Sequence, residues 1–214
     1  MPLTFYYGSG SPYAWRVWLA LEHKQIAYAL TTLSFSSGDL RKPEYLAINP
    51  NGAVPAAMDG EFALSESNAI LQYAADLSGS DTYYPKNLKH RADINRWLLW
   101  EGSTWFPSCY VYLVEYVVKP LLKAEPDQAV IDKEAPNWHR LAGILDARLA
   151  KTNWLAGDNV TIADIAVAAP VHVHKWQHLP LNEHTNLARW MADVERLPCW
   201  QKTQGAVERA LQLR

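Results

Sequence analysis

The hydrophobic period of this 214-residue chain changes near residue 80, and that change constrains the fold more than anything else in the sequence. Before it, short β-prone runs alternate with helix-like ones. After it, apolar residues recur almost throughout at helical spacing. A chain divided in this way is expected to fold as an α/β domain followed by an all-α helical bundle. Residues 3–7 read as a strand closed by Gly8-Ser9-Gly10, and Ser11-Pro12 carries the N-cap and first-turn signature of a helix. Residues 27–33 read as a second strand, and residues 53–58 as a third, interrupted by Pro55. Asp59-Gly60 signals a hairpin into residues 61–64, and a helix follows over 66–77. The order β-α-β, β-β, α predicts four strands, with the first pair parallel through a right-handed crossover.

The predicted division is therefore residues 1–79, a polar linker at 80–88 around Tyr83-Tyr84-Pro85, and a helical domain at 89–214. In that domain a helix is expected from about 94 to 118, broken by Pro120. A less regular stretch lies between Pro126 and Pro136, and further helices are expected at 141–149, 162–174, 186–195 and 198–213.

Composition removes several function classes. With 20 Lys+Arg against 22 Asp+Glu and no basic run, a nucleic-acid partner is not expected. No 18 consecutive apolar residues occur, so no spanning helix and no membrane partner are expected. The start, MPLTFYYGSGSPYAW, lacks the basic and apolar regions of a leader, which predicts a cytoplasmic protein. Cys109 and Cys199 are too few for a disulfide scaffold and form no CxxC pair. His172, His174 and His178 have no carboxylate or cysteine at useful spacing, so core or solvated histidines are expected and no metal.

Three features point to chemistry. A proline inside a strand removes a ladder hydrogen bond; Val54-Pro55 is therefore either an unremarkable edge or, if the bond is cis, a turn that leaves the Val54 backbone free to pair with an extended peptide. Glu66-Ser67 opens a helix, where free N–H groups favour a bound carboxylate and Glu66 can hold an ammonium; it can equally be an ordinary acidic first turn. Ser11 is an N-cap, worth about 1 kcal/mol on its own, and its hydroxyl could also donate to an anion such as a thiolate.

These features occur in order within strings that resemble the glutathione transferase superfamily over essentially the whole chain. The strings are GSGSPYAWRVWLAL (8–21), KPEYLAINPNGAVPA (42–56), LSESNAILQYAA (64–75) and LAGDNVTIADIAV (155–167). The resemblance implies a thioredoxin-like N-terminal domain, an all-helical C-terminal domain and a homodimer. It implies Ser11 as the group that activates the thiol of glutathione, the co-substrate. Val54 and cis Pro55 would pair with its cysteinyl part, Glu66 and Ser67 would hold its γ-glutamyl end, and Arg41 or Lys42 would face its glycine carboxylate. Tyr6, Tyr7 and Ser9 are the alternatives to Ser11. Asn51 and Ala53 depart from the family pattern, where an aromatic residue and a glutamine are frequent. No cysteine lies in residues 1–79, which argues against the cysteine-type branch. The aromatic run from Trp97 to Tyr112 reads either as helix-bundle core or, as the resemblance implies, as the lining for a small apolar electrophile with Trp105, Phe106 and Tyr112 as its contacts; Asp164 is a structural capping residue with Thr161. The implied activity is conjugation of glutathione to that electrophile, with a role in detoxification. A non-catalytic interaction protein and a glutathione-dependent isomerase, dehalogenase or peroxidase are the other readings.

Overall fold

The computed structural model describes residues 2–212. Its first half contains β1 (Leu3–Gly8), α1 (Pro12–His23), β2 (Tyr28–Leu33), α2 (Pro43–Leu46), β3 (Ala56–Asp59), β4 (Phe62–Ser65) and α3 (Ser67–Leu77). The sheet order is β2-β1-β3-β4. β1 and β2 run parallel from Leu3↔Tyr28 to Gly8↔Leu33, while β1/β3 and β3/β4 are antiparallel. This is a thioredoxin-like arrangement. β3 starts at Ala56, later than the sequence suggests, because it is a central strand and Pro55 has no N–H to give to a neighbour. β1 alternates as a half-buried strand should: Leu3, Phe5 and Tyr7 are buried, and Thr4 and Tyr6 are half-buried.

The second half begins with one helical column formed by α4 (Leu88–Trp100), a π turn (Glu101–Trp105), α5 (Phe106–Leu113), a second π turn (Val114–Val118) and α6 (Lys119–Leu121). Each π turn ends just before a proline, Pro107 or Pro120. A proline ring clashes with the carbonyl four residues back, and the wider π turn moves that carbonyl away. The column passes Pro107 and ends at Leu121, one residue beyond Pro120, where the sequence pattern predicts its end. α7 (Gln128–Leu149) likewise runs through Pro136, in the stretch expected to be less regular. Pro136 and Asp132, whose carbonyl loses its partner, are both exposed, so water can take the vacated bond.

α8 (Ile162–Ala168) stops short of the expected 174 and tightens into a 3-10 turn at Ala169–Val171, which contains Pro170. α9 (Thr185–Glu195) and α10 (Pro198–Ala210) complete the bundle. The expected end at 213 lies outside the described residues. Thr161 and Asp164 form the capping box of α8. The buried Asp164 carboxylate accepts from the N–H groups of Thr161 and Leu155, both at 2.9 Å, and from Trp190 Nε1 at 3.0 Å. Among the described residues, no helix is long and apolar enough to cross a membrane.

α1 is the element shared by the two halves. Trp15 Nε1 donates to Thr203 Oγ1 of α10 at 2.9 Å. Arg16 and Glu101, both fully buried, form a two-point ion pair from α1 to the first π turn, at 2.6 Å (Nη1–Oε2) and 2.5 Å (Nη2–Oε1). Asn68 of α3 joins the pair by accepting from Arg16 Nη1 at 3.0 Å, and donates to the Leu98 carbonyl at 3.0 Å. The largest fully buried side chains are Trp15, Trp97, Trp105, Trp138, Trp190 and Trp200. Most of the tryptophan excess is thus core packing.

Candidate active site

The start of α1 and the start of α3 meet at one end of the sheet. Ser11 caps α1 with an extended backbone, φ −82° and ψ 116°, and its Oγ accepts from the Ala14 N–H at 3.2 Å. A hydroxyl can accept one hydrogen bond and donate another, so capping leaves the Ser11 proton free to point outward. Ser11 is half-buried, and Pro12 holds the first turn behind it.

The Val54-Pro55 peptide bond is cis. Among the described residues, no main-chain group bonds to the Val54 N–H or C=O. The loop before it is anchored at the Ala53 carbonyl, which accepts from Tyr45 Oη at 2.5 Å and from Asn49 Nδ2 at 2.7 Å. Asn49 is buried, and its Oδ1 accepts from the Asn51 N–H at 3.2 Å. Gly8, at the end of β1, is fitted beneath this loop: a Cβ there would lie 2.7 Å from Val54 Cγ2 and 2.9 Å from Phe35 Cζ.

Glu66 precedes α3 in a positive-φ conformation, φ 68° and ψ 110°, which non-glycine residues rarely adopt. Its side chain is exposed and Ser67 is buried. Glu66, Ser67, Pro55, Ala53, Asn51, Asn49 and Tyr13 line one small pocket. The structure therefore brings together Pro55, Glu66 and Ser67, with Val54 beside them and Ser11 two residues before the lining Tyr13.

The two basic candidates separate. Arg41 lies over the loop, since a Cβ on Gly52 would meet its Nη1 at 2.6 Å. Lys42 pairs with Asp39 at 2.7 Å and borders a different hollow, under α2, together with Tyr6. Tyr7 points into the core against Trp18, and burial pushes its hydroxyl up to about 12. Ser9 is exposed in the loop.

Of the three aromatic candidates on the column, only Phe106 faces the site. It stacks on Tyr13 at 4.0 Å and 18°, and Tyr110 stacks on its far side at 5.4 Å. Trp105 is fully buried, donating from Nε1 to the Val167 carbonyl at 3.0 Å and packing on Trp138. Tyr112 is also buried against Trp138. Both belong to the core of the helical domain and line no cleft, a correction to the expected contacts. Both continue the buried stripe Ile94, Trp97, Leu98, Glu101, Trp105, Cys109 and Tyr112, whose helical spacing marks the core-facing side of the column. Tyr13, Asn49, Asn68 and Phe35 were not singled out from the sequence. The turn string Asn49-Pro50-Asn51-Gly52 gave a signal for Asn49, whereas nothing in the pattern of α1 distinguishes Tyr13 from a core residue.

A thioredoxin-like sheet with an unpaired Val54 main chain and a small polar pocket, backed by a helical domain, defines a two-domain ligand-binding protein of the thioredoxin-fold class. Family models described as "Glutathione S-transferase, N-terminal domain" and "Glutathione S-transferase, C-terminal domain" match residues 10–77 and 110–198. The chain is 30% identical over 207 residues to "Probable glutathione S-transferase GSTF2" of Oryza sativa subsp. japonica, covering 94% of this chain and 95% of that one. It is 32% identical over 189 residues to "Glutathione S-transferase GstB" of Escherichia coli K12, covering 87% and 90%. Among solved structures, glutathione S-transferase I from maize in complex with an atrazine glutathione conjugate superposes with a TM-score of 0.90 at 26% identity, covering 97% and 99%. The chain belongs to the glutathione S-transferase family.

Proposed function

We propose that this protein binds glutathione along the Val54-Pro55 edge and conjugates it, through its sulfur, to small apolar electrophiles. The observation that carries the reading is the convergence of an unpaired Val54 main chain, the Glu66-Ser67 helix start and the free Ser11 proton at one end of the sheet. The cysteinyl N–H and C=O of glutathione would complete the missing pairing at Val54. Its γ-glutamyl ammonium would meet Glu66, and its carboxylate the N–H groups that open α3 and the Ser67 hydroxyl. Arg41, over the loop, is the better placed of the two basic residues for the glycine carboxylate.

Ser11 would then donate a hydrogen bond to the sulfur, stabilising the thiolate left when the thiol proton passes to water. Lowering a thiol pKa by two units takes about 2.7 kcal/mol. A hydrogen bond to a charged group contributes about 1.5–3 kcal/mol and a helix N-terminus about 0.3–1 kcal/mol, so the two suffice without a protein base. The thiolate attacks the electrophilic carbon, a carbon–sulfur bond forms, and with an aryl halide the halide leaves with its electron pair. Ser11→Ala is expected to lower kcat for an aryl halide by roughly 10- to 100-fold, the worth of that hydrogen bond. Glutathione affinity measured by calorimetry should change by less than threefold. An unchanged kcat at saturating glutathione would reassign the role to another hydroxyl.

The same reading carries the division into a glutathione-binding domain at 1–79, a linker at 80–88 and a helical domain at 89–214, and a detoxifying role in the cytoplasm. It also carries a homodimer. Phe62, 52% exposed on the edge strand β4, and Leu99, 74% exposed on α4, flank α3 and give a second copy an apolar face to cover. The rival reading, a non-catalytic interaction protein, is favoured by Asn51 and Ala53, which line the pocket without the side chains frequent in the family. Absence of heat on titration with millimolar glutathione would establish it.

A further inference from the structure

A second cavity, of about 490 Å³, lies on the other side of the Ser11 loop, and its lining differs in character from the glutathione pocket. One wall is Leu211, which also roofs the loop: a Cβ on Gly10, the residue before Ser11, would meet Leu211 Cδ2 at 3.1 Å. Two further walls are aromatic, Tyr116 from the second π turn and Trp176, with the Tyr116 ring packed edge-on to His178 at 4.7 Å. The polar part of the lining is Lys123, Lys175, His178 and Gln212, and it contains no Asp or Glu. Among the described residues, no carboxylate lies within 4.0 Å of either lysine ammonium, although Lys119, one turn from Lys123, is paired with Glu115 at 2.5 Å.

The backbone around this cavity is built largely from helix ends. Of the five non-glycine residues with positive φ among those described, three line it: Lys123 (φ 62°), His178 (φ 53°) and Gln212 (φ 55°). At Lys123 and His178 the positive φ is that of a helix C-terminal cap, which turns the chain and sends each side chain away from the helix end. Lys123 and His178 each end a helical turn whose carbonyls are already taken, by Ala124 N–H to Lys119 O at 2.8 Å and by Leu179 N–H to His174 O at 3.0 Å. Neither basic side chain is therefore needed to cap those ends.

We propose that this cavity selects the co-substrate class: aromatic electrophiles that carry a carboxylate. The ring would lie between Tyr116 and Trp176, and the acid group would pair with Lys123 and Lys175. The electrophilic carbon would be held toward the Gly10-Ser11 loop. The proposal rests on the transferase reading above, in which glutathione sulfur sits at Ser11. With 4-chloro-3-nitrobenzoate, sulfur bonds to C4, chloride leaves with the electron pair of its bond, and the carboxylate stays unchanged.

The test compares that benzoate with neutral 1-chloro-2,4-dinitrobenzene in the wild type and in the Lys123→Gln/Lys175→Gln variant. The ratio of the two KM values is expected to shift at least tenfold against the benzoate, and Lys123→Arg/Lys175→Arg is expected to restore it. A ratio that moves less than twofold overturns the proposal. Binding of unreactive 3-nitrobenzoate, followed by the fluorescence change that Trp176→Phe removes, separates the two readings. If the wild type conjugates neither chloride yet binds 3-nitrobenzoate at least tenfold more tightly than nitrobenzene, with that preference lost in the glutamine variant, the cavity assignment stands and the transferase reading fails. Equal binding of the two probes overturns the cavity assignment whatever the enzyme does.

Discussion

At the scale of single residues, Glu66 shows a conflict between stability and site geometry. Its positive φ aims the start of α3, and the side chain, at the pocket lined by Ser67 and Pro55. Glu66→Gly would relieve the backbone and is expected to raise unfolding stability by about 1 kcal/mol, read in a urea titration. It would also remove the partner of the γ-glutamyl ammonium, so KM for glutathione should rise at least tenfold. A variant that is more stable with an unchanged KM would remove Glu66 from the site. Much at this scale is legible in the sequence, because Ser11-Pro12 and Glu66-Ser67 are local helix-start signals set by which N–H groups lack partners. What the sequence does not show is which of two adjacent basic residues turns toward the loop. Lys42 is drawn away by Asp39, three residues earlier, while Arg41 settles over Gly52, whose missing Cβ leaves the room.

At the scale of elements, the Arg16–Glu101 pair decides how α1 docks on the helical domain. Both partners are fully buried, and removing one leaves the other charge without compensation. Arg16→Met is expected to cost about 3–5 kcal/mol, whereas Arg16→Met/Glu101→Leu should recover most of that loss, since a buried pair contributes little over an apolar replacement. Chemical unfolding of the single and double variants checks this, and additive losses would contradict it. The sequence places Arg16 in a helix but offers no way to see its partner, 85 residues on. Glu101 sits at the first π turn, on the buried stripe with Ile94, Trp97, Leu98 and Trp105. Trp105 and Tyr112 lie on that stripe too and pack in the core, as the helical spacing alone suggests and the family resemblance does not. Pro136 misled for a different reason, since exposure to water lets α7 run through it, whereas Pro120 does mark the end of its column.

At the scale of the whole molecule, one buried and one half-buried histidine make stability depend on pH. Burial lowers both His172, packed on Trp15, and His23, packed on Tyr83, to about 4. In the unfolded chain they titrate near 6.5, so between pH 6.5 and about 4 the unfolded state binds the extra protons and stability falls as pH falls. For His172, with no solvent contact to speak of, the span is about 3 kcal/mol. His172→Phe should flatten the dependence by about one proton, or 1.4 kcal/mol per pH unit, in urea titrations between pH 4.5 and 6.5. An identical slope would show that His172 is already charged in the fold. A second prediction at this scale concerns assembly. Phe62→Glu/Leu99→Glu is expected to convert a sedimenting dimer into a monomer with Ser11 and Glu66 untouched, and a dimer that persists would place the interface elsewhere. By itself the sequence determined the order of elements, the α/β-then-helical division and the three stretches that meet at one end of the sheet, because caps, turns and periodicity act within a few residues. The tertiary structure decided the pairing of Arg16 with Glu101, the burial of six tryptophans and the basic aromatic cavity beside Gly10. Those depend on residues distant in the chain, which a local pattern does not encode.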